Sequence, residues 1–288
     1  MPNRLPRSRT LKGEPKLVYY EKGDGRPGET PLVLAHGATF RSEDWENIHP
    51  RLATRYRVIA YDMRGHGRSG RAGAYGVEAL ADDLLRIVRD VAGAPSIVLA
   101  HSVSAAATIV AAAREPARIR GLVLEDPLLA RYGTSWNKPY YEQLRKALDQ
   151  SSDPAALRAA VAKLPLPVVG PRGERTIGEV RGFYSPERLA TYFAGVDPAF
   201  VDHLLALEQD QAGIAAIRAA TASVGVPALL LAADPKQGST LDEGEPERLV
   251  AKGWQLVRFP GVGHRIHGLR PEAFLEPLEP FLRANRTL

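Results

Sequence analysis

Short apolar runs rich in β-branched residues, separated by helical patterns, limit the folds open to this chain. The runs are Lys16–Glu21, Pro31–His36, Tyr56–Tyr61, Ser96–His101, Gly121–Glu125, Ala228–Ala233 and Gln255–Phe259. A continuous apolar run bounded by turns reads as a strand buried on both faces. Strands that alternate with helices pair in parallel, because the crossover helices cover the sheet. Helical patterns fall at Val77–Val91, Ser104–Arg114, Pro246–Lys252 and Pro271–Arg283. The expected fold class is α/β, with a mostly parallel, doubly wound sheet.

The alternation breaks once. From Leu128 to Ser223 no strand-like run occurs. Helical patterns recur instead at Tyr140–Gln150, Asp153–Lys163, Pro186–Phe193 and Pro198–Gln211, interrupted by Pro165, Pro167 and Pro171. An insertion of this kind sits as a cap over the C-terminal strand ends, where open α/β sheets bind ligands. The expected organisation is a loose leader over 1–15, a core made of 16–127 and 224–288, and a helical cap over 128–223.

A chain of 288 residues, 44% hydrophobic, can bury one sizeable core. The basic N-terminus lacks the apolar segment of a secretory signal, and no apolar run reaches transmembrane length. Cysteine is absent, which excludes disulfides, thiolate metal sites and a Cys nucleophile, and fits a cytoplasmic setting. The net charge of +5 is spread over scattered arginines. That reads as a solvated surface, with no nucleic-acid or membrane partner expected.

The chemistry-bearing segments lie at strand ends. Ile97–His101 runs straight into a small-residue helix with Ser102 at the joint. A serine there is held on a sharp, strained turn with its hydroxyl free of the sheet, and small residues are needed two before and two after it. Those positions are Ala100 and Ser104, where glycine is usual. Leu32–Ala35 ends in His36-Gly37-Ala38, and this loop can supply one of two backbone N–H groups for an oxyanion; Val103 supplies the other. His36 is expected to hold the loop. Asp62-Met63-Arg64-Gly65-His66-Gly67-Arg68-Ser69 reads as a rigid turn, with Asp62 and Arg64 able to bond each other and His66 at the surface. Finally, Pro260-Gly261-Val262-Gly263-His264 leaves the His264 ring room to swing toward Ser102 as general base. His267 could compete for that role. No third ligand stands near to make His264 and His267 a metal site, so no metal or cofactor is expected.

These four segments, in this order, resemble the α/β-hydrolase superfamily over about Lys16 to Arg283, the cap excepted. The resemblance implies the α/β-hydrolase fold, a helical cap inserted after its strand 6 (here Gly121–Glu125), and the chain order nucleophile, acid, histidine. Two acids are open. The commonest location follows Ala228–Ala233, where Asp234 lies two residues before the usual position, which holds Lys236. Some members, such as haloalkane dehalogenases and certain mycotoxin lactonases, carry the acid after the preceding strand, about 24 residues beyond the nucleophile. Asp126 stands 24 residues after Ser102 and is favoured, with Glu125 pointing away.

The serine argues against dehalogenases and epoxide hydrolases, which place Asp at the elbow. What the resemblance implies is an esterase or lactonase working through an acyl-enzyme on a small-molecule substrate, as monomer or homodimer. C–C bond hydrolases and haloperoxidase-like enzymes are the alternatives, followed by a slow-turnover receptor or pseudoenzyme. The aromatic density of the cap points to an apolar or aromatic substrate portion, with Trp136, Tyr140, Phe183 and Tyr192 as binding residues.

Overall fold

The computed structural model describes residues 6–25, 29–134, 137–166, 175–179 and 185–285. Its frame is one eight-stranded sheet in the order β1-β2-β4-β3-β5-β6-β7-β8. The strands are β1 Ser8–Leu11, β2 Leu17–Lys22, β3 Leu32–Ala35, β4 Val58–Tyr61, β5 Ser96–His101, β6 Ile119–Glu125, β7 Ala228–Ala233 and β8 Gln255–Phe259. β1 and β2 are antiparallel to their neighbours, and β3 to β8 run parallel.

Successive residues of a strand face opposite layers, and the central strands split accordingly. Val33, Ala35, Val98, Ala100, Leu122 and Leu124 enter one core. Leu32, Leu34, Ile97, Leu99 and Val123 enter the other. Both faces are therefore covered, which is why these strands read as unbroken apolar runs.

The helices are α1 His49–Leu52, α2 Val77–Arg86, α3 Val103–Arg114, α4 Lys138–Leu148, α5 Pro154–Ala162, α6 Pro186–Phe193, α7 Pro198–Leu205, α8 Gln211–Ser223, α9 Glu245–Val250, α10 Ile266–Leu269 and α11 Pro271–Asn285. α2, α3 and α8 pack together on one face. Phe274, Leu278, Phe281 and Leu282 of α11 fill the other with Trp45 and Ile48.

Two expectations change. The leader is not loose over Ser8–Leu11: this segment pairs residue by residue with Leu17–Tyr20, and Arg9 bonds Glu21 at 2.7 Å. Among the described residues of 128–223 helices recur and no strand joins the sheet, but the helix expected over Pro198–Gln211 ends at Leu205. The Asp210 carboxylate then caps a new helix, α8, by accepting from Gly213 N–H at 2.9 Å. α8 lies against α2 and α3 on the flank of the sheet, away from the position of a cap. No helix among the described residues is long and apolar enough to cross a membrane.

Candidate active site

Ser102 stands between β5 and α3 with φ 59° and ψ −123°. A non-glycine residue there is strained by roughly 1–3 kcal/mol and persists only where its surroundings fix it. They do so by hydrogen bonds: Ser102 N–H donates to Glu125 O at 3.0 Å, and Ser102 O accepts from Leu128 N–H at 3.2 Å. Ala100 is packed between sheet and helix. Ser104, in the place of the usual glycine, donates its hydroxyl to His36 O at 2.6 Å. The substitution thus fastens α3 to the end of β3.

The loop after β3 is fixed by two histidines. His36 Nδ1–H donates to Gly37 O at 2.8 Å, and its Nε2 accepts from Met63 N–H at 3.0 Å. His66 Nε2 accepts from Thr39 N–H at 3.1 Å. Gly37 is required sterically, since a Cβ there would lie 2.5 Å from His101 Nδ1. Between these anchors lies Ala38, and Val103 opens α3, where a helix leaves its N–H groups without internal acceptors. His66 is not at the surface as expected: it is enclosed, edge-on to Phe200 of α7 at 4.4 Å. Nor does Arg64 pair with Asp62. Arg64 grips Asp83 of α2 at 2.6 and 2.9 Å, whereas Asp62 accepts from Ser42 N–H, the Ser42 hydroxyl and Arg68 N–H.

The two candidate acids differ completely in position. His264 Nδ1–H donates to Asp126 Oδ2 at 2.6 Å. Asp126 is wholly buried, with φ 41°. Its Oδ1 accepts from Ser239 Oγ–H at 2.6 Å and Ala233 N–H at 3.2 Å, and its Oδ2 also accepts from Thr240 N–H at 2.9 Å. Four donors on two oxygens hold the carboxylate in one orientation. Asp234 is at the surface. It accepts from Lys236 N–H at 2.8 Å and Gly261 N–H at 2.7 Å, which hold its carboxyl below the usual range, and so braces the loop that carries His264. Ser239 and Thr240 went unnoticed in the sequence. Their signal is a hydroxyl pair after the strand where an acid is common, set to receive a carboxylate from the neighbouring strand.

A second carboxylate–histidine pair lies behind the first. Ile97, Leu99 and Val123 face the α11 layer, and the two-residue alternation of a strand turns His101 and Glu125 the same way. His267 is fully buried; its Nδ1–H donates to Glu125 at 2.6 Å and its Nε2–H to Asp44 at 3.1 Å. Asp44 also pairs with Arg265. Burial opposes the charge on His267, but Glu125 and Asp44 outweigh it and raise its pKa. Its ring stacks on Trp45 at 4.1 Å. His267 therefore faces its own acids and does not compete for Asp126. His101 Nε2–H donates to His264 O at 3.0 Å and fixes the backbone of that residue.

Burial pushes the pKa of both His66 and His101 down to about 3. In the unfolded chain they protonate near 6.5. The folded values are lower, so stability is complete above about pH 6.5 and is lost toward pH 3, by up to about 1.4 kcal/mol per ring per pH unit. Urea unfolding is expected to show a lower midpoint at pH 5 than at pH 7. An unchanged or higher midpoint at pH 5 would contradict neutral burial of these rings.

Ser102 and His264 line one solvent-open cleft with Leu128, Tyr141, Leu204 and Thr240. The Nδ1 bond to Asp126 leaves Nε2 of His264 as the nitrogen able to take a proton. Among the described residues no hydrogen bond yet joins that ring to the Ser102 hydroxyl; such contacts often tighten only with substrate. Of the expected binding residues, Trp136 and Phe183 lie outside the described residues. Tyr140 and Tyr192 are not on the wall of this cleft, where Tyr141 stands instead. Tyr192 is core, with its hydroxyl accepting from Arg188 at 2.8 and 2.9 Å.

Residues 32–276 match the α/β hydrolase family, and the chain belongs to that family. Over 116 residues it is 37% identical to 2-(acetamidomethylene)succinate hydrolase of Mesorhizobium japonicum, covering 40% of each chain. The chain thus spans well under half the length of this curated relative. Its fold is similar to that of epoxide hydrolase A from Mycobacterium thermoresistibile (TM-score 0.74, 21% identity, 98% of this chain and 99% of that one). It is also similar to a structure described as a putative aryl esterase from Burkholderia cenocepacia (TM-score 0.72, 20% identity, 97% and 99%).

Proposed function

We propose that this chain is a serine hydrolase that cleaves a carboxylic ester or lactone through an acyl-enzyme. The observation that carries this reading is the 2.6 Å bond from His264 Nδ1 to buried Asp126, in the cleft that also holds Ser102 on its left-handed turn.

His264 Nε2 takes the Ser102 proton as Oγ attacks the carbonyl carbon. The N–H groups of Ala38 and Val103 receive the developing oxyanion. Asp126 stabilises the imidazolium, which then gives its proton to the departing alkoxide. A water molecule repeats the sequence: His264 takes its proton, its oxygen attacks the acyl carbon, and Ser102 leaves with the proton returned by His264. Protein donors supply the charge stabilisation at each of these steps.

The test is turnover on a panel of short-chain p-nitrophenyl esters, long-chain esters and lactones. Saturable hydrolysis of at least one substrate, with a burst of p-nitrophenol if deacylation is slow, is expected. No turnover of any panel member would count against the reading.

A further inference from the structure

The lining of the cleft is mixed in character. Leu128, Tyr141 and Leu204 line it with apolar surface, and Arg131, Asn137 and Lys138 add polar and cationic groups. No Asp or Glu is among the described residues that line it. Arg131 is set in place within the fold: one guanidinium N–H donates to Ser239 O at 3.1 Å, and Nε lies 3.6 Å from Asp242. Lys138 is exposed in the first turn of α4, a turn without an acidic residue.

A neutral ester in this cleft would leave the Lys138 ammonium, and an Arg131 guanidinium already offset in part by Asp242, beside its acyl chain. An anionic group would instead replace water on Lys138 and bond the preset guanidinium, and both contacts gain strength beside the apolar surface. We propose that the substrate carries a carboxylate remote from its scissile carbonyl, bound by Arg131 and Lys138 while the chain between lies along Leu128 and Leu204. This rests on the serine-ester reading and narrows it to half-esters of dicarboxylic acids or similar anionic esters.

The test compares p-nitrophenyl hydrogen adipate with p-nitrophenyl hexanoate, which match in acyl length and differ in the terminal carboxylate. Wild-type kcat/KM is expected to favour the adipate ester by at least about tenfold, mainly through KM and less so as salt is added. Arg131→Ala/Lys138→Ala should bring the ratio to about one. Lys138→Gln, at an exposed position, should lower it without risk to folding. Lys252→Ala, outside the cleft, should leave it unchanged, which separates a local site from the net charge. Equal rates for the two esters, or a preference that survives in the double variant, would overturn the proposal. Titration of Ser102→Ala with both esters reads binding without chemistry. If the wild type cleaves neither ester but Ser102→Ala still prefers the adipate ester, the hydrolase reading fails and the carboxylate site stands; no preference in that titration removes the site.

Discussion

Ser102→Ala is expected to lower kcat for ester cleavage by about 10⁶-fold, the scale seen when a hydrolase triad loses its nucleophile. The loss is a chemical one. Alanine has a β-carbon like serine, so the left-handed turn at φ 59° is no harder to hold, and the backbone bonds to Glu125 and Leu128 remain. The Ser102 hydroxyl donates no hydrogen bond to a described residue that the fold would miss. Stability should therefore change by no more than about 0.5–1 kcal/mol. Residual turnover above the uncatalysed rate is still expected, because the Ala38 and Val103 N–H groups stay in place. Steady-state rates with thermal unfolding of the same sample check both halves. A variant that keeps more than about a hundredth of wild-type kcat would place the nucleophile elsewhere.

The second large effect separates the two acids. Asp126→Asn is expected to reduce kcat by about 10⁴-fold, because an amide that donates toward His264 Nδ1 favours the tautomer with its proton on Nε2. It also disturbs the donors Ser239, Thr240 and Ala233, at a further cost of about 1–3 kcal/mol in stability. Asp234→Asn keeps an oxygen for Gly261 N–H or Lys236 N–H and never touches the imidazole, so a change within about tenfold is expected. Rates measured below the melting transition of each variant make the comparison. A larger loss from Asp234→Asn would reverse the assignment.

Much of the frame could be read from the chain because the central strands are buried on both faces. Leu32–Ala35, Ser96–His101 and Ala228–Ala233 stand out as apolar runs for that reason. β1 could not be read: Ser8–Leu11 is polar and basic, and its strand character comes from the exposed edge of β2 beside it. The break before α8 was hidden as well, since periodicity continues across Asp210 and only the capping carboxylate marks the new start.

In the site, Ser102 and His264 were legible because each sits at a junction that needs small neighbours, and such a need shows in the sequence. The choice between Asp126 and Asp234 was legible only as a preference for Asp126, from its 24-residue spacing after Ser102. It depends on a contact between residues 138 apart, set by which strand lies beside which and by where Ser239 and Thr240 fall after β7. His66 illustrates the opposite error. A glycine-rich turn reads as exposed, yet here α7 covers it with Phe200. The Asp44–His267–Glu125 network was equally hidden, being assembled from three segments far apart in the chain.

The most direct measurement is intact-mass and peptide analysis after incubation with a fluorophosphonate, which reacts with an activated serine and needs no knowledge of the substrate. One adduct per chain is expected, on the peptide that carries Ser102, absent from Ser102→Ala and strongly slowed in His264→Ala. An unmodified wild-type chain, or an adduct on a different serine, would contradict Ser102 as the nucleophile.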